Sequence, residues 1–200
     1  MRYLFLIFTL TSTAVFSAEN KVLLFAGSTR QDSVNKKLIN EAARLAREQK
    51  ADVTVIDLRD YGMPFYDGDL EAKDGMPAKA KQLRNLMIQS QTILIASPEY
   101  NSSLPAVLKN AIDWASRTEA SGSSRDAFKG KKFGIMSASP GPGGGARTLV
   151  HLRSIIEAVG GNVIAKQVTV PNAFTAFDEK GKLIDTKLQA ELSQLVKDAL

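Results

Sequence analysis

Short apolar runs alternate along this chain with longer segments in which apolar residues recur every three or four positions. The short runs predict buried β-strands over Lys21 to Ala26, Ala51 to Leu58, Thr92 to Ala96, Lys132 to Ser137 and Val163 to Val170. The helical spacing predicts helices over Ser33 to Gln49, Pro77 to Ser90, Pro105 to Arg117, Ala146 to Val159 and Thr186 to Ala199. Polar, glycine-containing segments predict loops over Arg59 to Gly75 and Thr118 to Gly130.

This alternation of strands and helices predicts an α/β fold, a three-layer sandwich with a five-stranded parallel sheet between two layers of helices. Five strands are too few for a two-halved dinucleotide-binding fold, so we expect the flavodoxin-like strand order 2-1-3-4-5. The 200 residues of the chain suffice for one domain, which we place at residues 18–200.

The first 17 residues differ from the rest in pattern. A short basic start, Met1 to Tyr3, precedes the apolar stretch Leu4 to Phe16 and the small residue Ser17. This order is typical of a secretory signal peptide, and the apolar stretch is too short for a membrane span. We therefore expect cleavage after Ser17 and export to the periplasm. The alternatives are a misassigned start codon, which would leave a cytoplasmic protein, and an extra buried strand.

Composition narrows the possible chemistry. The chain has no cysteine and one histidine, His151, which excludes disulfides, thiol catalysis and a multi-histidine metal centre, so we expect no metal site. The formal net charge is +5 and the isoelectric point is about 9.4. Because the basic residues are dispersed rather than clustered, we expect this charge to attract an anionic cofactor and not nucleic acid.

Three predicted loops follow the carboxyl ends of predicted strands, where open α/β sheets bind ligands. The first loop combines hydroxyls, a guanidinium and the free N–H groups of a helix start, contributed by Ser28, Thr29, Arg30, Ser33 and Val34. Such groups bind phosphate, although the loop has neither the Walker A nor the GxGxxG pattern. The alternative is that Ser33 only caps the helix and that Arg30 is solvated.

The second loop follows the third predicted strand and contains Pro98, Glu99, Tyr100 and Asn101. A rigid proline, an aromatic ring and an amide suit a flat heterocycle, whereas nothing beside Glu99 in the sequence would tune it as a general base. The third loop has four glycines within residues 141–145, which let the backbone approach a ligand closely. The alternatives are a capped turn and a plain flexible turn. Together the three loops predict a phosphorylated cofactor with a planar head, such as FMN.

The segments GSTRQDSVN, SPEYNSSLPAVLKNAIDW and SPGPGGGARTLVHLR follow one another in this order. They resemble the NADPH-dependent FMN reductase family, a group of flavodoxin-like fold that includes chromate, quinone and azo-dye reductases. The resemblance runs from about Lys21 to the C-terminus. It implies phosphate binding by Ser28, Arg30, Ser33 and Asn35. It also implies that the flavin ring lies against Pro98, Glu99, Tyr100 and Asn101, with its pyrimidine edge beside Ser139, Gly141, Gly143 and Gly144.

The resemblance further implies an enzyme with FMN as cofactor and NADPH or NADH as co-substrate. The electron acceptor would be a quinone, an azo compound, a metal oxyanion or free flavin, and no catalytic side chain is expected because the flavin carries the chemistry. Relatives are commonly homodimers or homotetramers, which suggests an interface over Leu108 to Trp114, and they are usually cytoplasmic without a signal segment. The alternatives are a flavodoxin-type electron carrier, although such carriers are usually acidic, and a flavin-less binding protein.

Overall fold

The computed structural model describes residues 20–200 as a parallel sheet between two layers of helices. The central strands are β1 (Lys21–Ala26), β2 (Asp52–Asp57), β3 (Thr92–Ala96) and β4 (Lys132–Ala138). They lie in the order β2-β1-β3-β4, and two short strands, β5 (Asn162–Val163) and β6 (Val168–Val170), both pair with β4 in parallel. The predicted α/β fold and the order 2-1-3-4-5 are therefore confirmed.

Six α-helices cover the sheet: α1 (Val34–Glu48), α2 (Gly68–Asp74), α3 (Ala78–Gln89), α4 (Ala106–Ala115), α5 (Ala146–Ala158) and α6 (Thr186–Ala199). The alternate side chains of β1 show how the two helical layers are divided. Val22 and Leu24 pack with buried residues of α1 and α6, whereas Leu23 and Phe25 pack with those of α3, α4 and α5. Each face of the sheet thus has its own apolar core, as expected for strands that are buried on both sides.

The expectation of one continuous fifth strand over Val163 to Val170 was wrong, since the chain leaves the sheet between β5 and β6. The guanidinium of Arg153 in α5 donates hydrogen bonds to the carbonyl oxygens of Val163, Ile164 and Ala165 at 3.1, 2.8 and 3.3 Å. These carbonyls therefore bond to a side chain that comes from the preceding helix. The apolar run from Val163 to Val170 could not reveal that a side chain, and not a neighbouring strand, donates to these carbonyls.

The expectation of an irregular loop over Arg59 to Gly75 was also wrong. A short 3-10 helix occupies Leu58–Asp60, and α2 follows with Asp67 as its N-cap. The Asp67 carboxylate accepts hydrogen bonds from the N–H groups of Asp69 and Leu70 at 2.8 and 3.3 Å. Because α2 has seven residues and is mostly polar, it has too little apolar periodicity to be predicted.

The carboxyl ends of β1, β3 and β4 lie side by side, because Ala26 pairs with Ala96 and Ala96 pairs with Met136. The ladder continues one step beyond, where the N–H of Gly27 donates to Ala96 at 2.8 Å and that of Ser97 donates to Met136 at 2.9 Å. The three predicted ligand loops therefore leave the sheet at the same edge. Within residues 20–200, no helix has the length and apolar character that crossing a bilayer requires.

Candidate functional site

An open cleft of about 430 Å³ lies at this edge of the sheet, and the three loops form most of its wall. Nine of the predicted site residues line it: Ser28, Arg30, Ser33, Val34, Asn35, Pro98, Glu99, Tyr100 and Ser139. Four further residues, which the sequence did not single out, complete the lining: Asp32, Ala138, Pro140 and Phe174. The fold thus brings together residues that are far apart in the sequence.

The first loop ends at the N-terminus of α1, where polar groups remain available. Ser33 is the N-cap residue and is 5% exposed, yet its side chain makes no capping hydrogen bond. The first N–H groups of a helix have no intrahelical acceptor, so those of Val34 and Asn35 are also available to a ligand. The guanidinium of Arg30 is exposed and makes no hydrogen bond or ion pair to any residue within 20–200. Uncapped helix-start donors beside a free cation form an anion site.

A second arginine, which the sequence analysis missed, holds this loop in place. Arg59, in the 3-10 helix after β2, donates from Nε at 3.0 Å and from a terminal nitrogen at 2.6 Å to the carbonyl oxygen of Thr29. The bond fixes the loop backbone between Ser28 and Arg30 and adds a positive charge near the α1 N-terminus. Only the pairing of β1 with β2 brings this side chain to the loop.

Asn35 links the first loop to the third. Its side chain, which is nearly fully buried, donates to the carbonyl oxygen of Ala138 at 2.8 Å and accepts from the N–H of the same residue at 2.9 Å. The amide therefore pairs with the backbone at the end of β4, in the manner of a strand neighbour. What Asn35 can offer to a phosphate is chiefly its backbone N–H.

The second loop makes a tight reverse turn at Tyr100–Ser103. The N–H of Tyr100 donates to the Ser103 carbonyl at 2.9 Å, and the N–H of Ser103 donates to the Tyr100 carbonyl at 3.0 Å. The central residues Asn101 and Ser102 both have positive φ, 50° and 67°, as in a type I′ turn. Asn101 lies at the tip of this turn and does not line the cleft, whereas Tyr100 does and is 49% exposed.

Glu99 joins the second loop to the start of α5. Its carboxylate accepts from the N–H groups of Arg147 and Thr148 at 3.1 and 3.3 Å, and from Arg147 Nε at 2.8 Å. The hydrogen bonds from the Arg147 side chain lower the pKa of Glu99 below its ordinary value, and the backbone donors act in the same direction. Glu99 is therefore an ionised cap for α5.

The glycine-rich third loop forms the floor of a second depression of about 670 Å³, which shares Glu99 and Ser139 with the first. A Cβ added at Gly141 or Gly143 would meet no atom within 4 Å, so at these positions bare backbone faces open space. Gly144 differs, since its Cβ would lie 3.0 Å from the backbone of β6 and its φ is +58°. Two of the glycines thus leave room for a ligand, and Gly144 permits close packing.

Beneath the cleft, buried hydroxyls connect the ends of β3 and β4 with α5. Ser137 Oγ donates to the carbonyl oxygen of Ser97 at 2.7 Å, and the hydroxyls of Ser97 and Thr148 lie 3.1 Å apart. All three residues have no exposed surface. They satisfy polar groups that the strand ends would otherwise leave unpaired, and they fix the loops above them.

Several other residues prove to be structural. Trp114 is fully buried, and its Nε1 donates to the Pro64 carbonyl oxygen at 2.8 Å. Leu108 is also fully buried within the chain, whereas Ala106 and Lys109 of α4 are exposed and Val107 and Asp113 are half-buried, so an interface through this helix would use these four. His151 lies outside the cleft, with its Nδ1 2.9 Å from Ser103 Oγ.

The cleft therefore offers a cation and N–H donors from the first loop and aromatic and proline side chains from the second, and the adjoining depression exposes bare backbone of the third. Its lining carboxylates are Asp32, which is exposed, and Glu99, which is occupied by α5. No group of three or more potential metal ligands occurs within residues 20–200. This arrangement can bind an anionic, partly planar molecule without supplying an acid, a base or a metal.

Comparison with known proteins agrees with this geometry. A family model described as NADPH-dependent FMN reductase matches residues 20–175. An NAD(P)H-dependent FMN reductase of Pseudomonas aeruginosa is 36% identical over 180 residues, which cover 89% of this chain and 92% of that protein. The NADPH:quinone oxidoreductase of Arabidopsis thaliana is 32% identical over 179 residues, covering 88% of each protein.

Among solved structures, a flavoenzyme NAD(P)H:(acceptor) oxidoreductase from Paracoccus denitrificans superimposes with a TM-score of 0.74. The two proteins are 29% identical, and the alignment covers 89% of this chain and 96% of that one. The family model spans most of the chain, and the relatives of similar length align over about nine tenths of each protein. The family is therefore established. The chain belongs to the NADPH-dependent FMN reductase family, and it is an oxidoreductase that uses FMN with NAD(P)H.

Proposed function

We propose that the enzyme passes electrons from NAD(P)H, through FMN bound in the cleft, to a quinone, an azo compound, a metal oxyanion or free flavin. The observation that carries this proposal is the anion site at the start of α1, which opens into the same cleft as Pro98, Tyr100 and Ser139. One cleft can thus hold both the phosphate and the ring of a flavin nucleotide. The cleft continues into the depression at the third loop, which shares Glu99 and Ser139 with it.

The residues fit the phosphate of FMN. Ser33 has a side-chain hydroxyl that caps nothing, and the N–H groups of Val34 and Asn35 point out of the helix end without intrahelical acceptors. Arg30 adds a free guanidinium, which can make two charge-assisted hydrogen bonds to phosphate oxygens. Arg59 keeps the intervening backbone fixed through Thr29, so the donors are arranged before the ligand arrives.

The residues also fit the flavin ring. Pro98 and Tyr100 provide an apolar wall on one side, and Ser139, Gly141 and Gly143 provide hydroxyl and backbone groups on the other. When bound, FMN supplies the redox chemistry by accepting a hydride from NAD(P)H and releasing electrons to the acceptor. The contribution of the protein is to position the ring and to direct N–H donors at the negative charge that it gains on reduction.

An electron carrier of flavodoxin type is a weaker candidate. The chain carries a net charge of +5, whereas such carriers are usually acidic to match basic partners. The relatives with the same length are named as reductases and oxidoreductases.

The test is reconstitution of the purified protein with FMN, followed by steady-state oxidation of NADH and NADPH with 2-methyl-1,4-naphthoquinone, an azo dye, chromate or free FMN as acceptor. We expect stoichiometric flavin binding and sustained turnover with at least one acceptor. The apoprotein without FMN is the control and should be inactive. Flavin binding without catalytic turnover would favour the electron carrier, and failure to bind FMN would refute the proposal.

We further propose that residues 1–17 are a cleaved signal peptide and that the mature protein is a homodimer or homotetramer. Both proposals rest on the sequence pattern and the family resemblance, and the signal segment lies outside the described residues. N-terminal sequencing of protein recovered from the periplasm should begin at Ala18. Light scattering after gel filtration should give a mass of two or four subunits. An uncleaved cytoplasmic protein, or a monomer, would contradict the respective proposal.

A further inference from the structure

Phe174 is a large apolar side chain that lies exposed at the rim of the cleft. It is 71% exposed and forms part of the cleft lining together with the first and second loops. It was not predicted from the sequence, because it follows the last strand and belongs to none of the three loops. A single exposed apolar side chain is common on protein surfaces, so what distinguishes Phe174 is its position among the residues that line the cleft.

The backbone holds Phe174 in this position. The N–H of Ser139 donates to the carbonyl of Val170 at 3.1 Å, and the N–H of Ala173 donates to the carbonyl of Ser139 at the same distance. On the other side, the N–H of Thr175 donates to the Asn172 carbonyl at 3.0 Å, which closes a turn around Phe174.

The burial of the neighbouring residue, Ala173, shows that the backbone beside Phe174 is packed against the core. Ala173 is 1% exposed and packs in the core with residues of α1 and α6, while Phe174 next to it faces outward. The turn thus places the ring of Phe174 at the cleft, on a backbone that hydrogen bonds and core packing hold in position.

The rim beside Phe174 is apolar as well. Pro98, Pro140 and the half-exposed ring of Tyr100 line the same cleft, while the cationic group, Arg30, belongs to the phosphate-binding loop. Aromatic rings bind other planar rings favourably in offset or edge-to-face arrangements. A small inorganic acceptor gains nothing from such a contact.

We propose that Phe174 is a specificity-determining residue that contacts planar, uncharged aromatic acceptors of the quinone class and thereby favours them over inorganic acceptors. This inference rests on the proposed function, since it assigns the acceptor class of the same site. It requires that Phe174 contribute to acceptor binding and not to the affinity for FMN.

The test compares Phe174→Ala, the conservative variant Phe174→Tyr and the control Ile184→Ala. Ile184 lies in the same connection between β6 and α6, is 59% exposed and does not line the cleft. Three quantities are measured for each FMN-loaded protein: the Kd for FMN, the Kd for 2-methyl-1,4-naphthoquinone by spectral titration of the oxidised protein, and kcat/KM for this quinone and for ferricyanide.

For Phe174→Ala we expect the quinone Kd to rise and its kcat/KM to fall by about 3- to 10-fold, the range of a lost aromatic contact. The FMN Kd and kcat/KM for ferricyanide should stay within about twofold of the wild type, as is usual for surface substitutions. Phe174→Tyr should restore quinone binding, and Ile184→Ala should change none of these quantities.

Other outcomes would overturn the inference. Unchanged quinone binding in Phe174→Ala would exclude the contact. A weaker FMN affinity together with an equal loss of kcat/KM for the quinone and for ferricyanide would show that Phe174 contacts the cofactor and not the acceptor. If the wild-type protein neither binds FMN nor oxidises NAD(P)H, the proposed function itself fails and the inference falls with it. The wild-type measurement distinguishes this last case from the others.

Discussion

The polar side chains around the cleft fall into two groups: those that form hydrogen bonds to other parts of the chain and those that form none within residues 20–200. Asn35 and Glu99 are each engaged in several hydrogen bonds to other parts of the chain, so they hold the loops together. Arg30 and the hydroxyl of Ser33 have no such partners within residues 20–200. We therefore expect ligand binding to depend on the second group and the integrity of the site to depend on the first.

The free guanidinium leads to a prediction for Arg30→Ala. The Kd for FMN should rise at least about 10-fold, because a hydrogen bond to a charged group contributes about 1.5 to 3 kcal/mol. The free energy of unfolding should change by less than about 0.5 kcal/mol, since the side chain is exposed. Flavin fluorescence titration and urea denaturation measure the two quantities.

The matched control is Arg47→Ala, which removes the same charge from an exposed position in the last turn of α1. Equal loss of FMN affinity in both variants would show that only the overall charge matters. No loss in either variant would remove Arg30 from the site.

At the scale of secondary structure, the two helix starts at the cleft are used differently. The N-terminus of α1 is left without a side-chain cap, whereas the carboxylate of Glu99 occupies that of α5. The turn before α5 also requires glycine, because Gly145 has φ +85° and its Cβ would lie 1.9 Å from Ser137 Oγ. One helix start is thus open to a ligand, and the other joins two loops of the site.

We expect Gly145→Ala to lower the free energy of unfolding by about 3 kcal/mol, from the combined cost of a left-handed alanine and the clash with Ser137. Gly141→Ala is the control for stability, since its Cβ would meet no atom within 4 Å. Urea denaturation compares the two variants. A stability of Gly145→Ala equal to that of Gly141→Ala would contradict the packing described for this turn.

The link between α2 and α4 produces a dependence of stability on pH. Glu71 is buried and accepts hydrogen bonds from Arg117 Nε at 2.9 and 3.0 Å and from the Tyr66 hydroxyl at 3.1 Å. The hydrogen bonds from Arg117 lower the pKa of Glu71 below its ordinary value of 4.5. A carboxyl whose pKa is lower in the folded state stabilises the folded protein at pH values above its unfolded-state pKa. This stabilisation is lost as the pH falls through the folded-state pKa.

We therefore expect Glu71→Gln to be less stable than the wild type at neutral pH by about 2 kcal/mol, because it breaks a largely buried ion pair. The difference should shrink as the pH falls below 4.5, where the carboxyl becomes protonated in the unfolded chain, and should be lost once the pH has fallen through the lower folded-state pKa. Urea denaturation at neutral and acidic pH gives both values. A difference that is the same at every pH would show that the charge of Glu71 is not what stabilises the folded state.

On the scale of the whole molecule, the strand order creates the site. Since β1 and β4 both flank β3, three loops that are far apart in the sequence open at one edge. The two cores on either face of the sheet are built from residues 22–199. We therefore expect the cleft to form without the first 17 residues.

A protein that begins at Ala18 should therefore fold and bind FMN as the full chain does. Its melting temperature should lie within about 2 °C of that of the full chain, which corresponds to about 0.5 to 1 kcal/mol. Its Kd for FMN should agree within about twofold. Circular dichroism and flavin titration provide the measurements, and a truncated protein that fails to fold would show that the N-terminal segment belongs to the domain.

The local pattern sufficed for much of this structure. Strands β1, β3 and β4 are continuous apolar runs with helical periods between them, so their positions followed from periodicity, whereas their order was expected from the number of strands. The location of the site followed as well, because ligands bind where such strands end. The short polar helix α2 and the break between β5 and β6 were not predicted, because Arg117 and Arg153 stabilise them from elsewhere in the chain.

The sequence by itself determined the fold class and the three loops that form the cleft, because these depend on periods and on residues that are neighbours in the chain. The strand order was expected from the number of strands and was decided by which strands pair in the sheet. Only the tertiary structure decided which polar groups remain for a ligand. Asn35 bonds to a residue 103 positions away and Glu99 to one 48 positions away, so their availability depends on partners that no local pattern contains. The exposure of Phe174 at the rim was decided in the same way, by backbone hydrogen bonds to the end of β4.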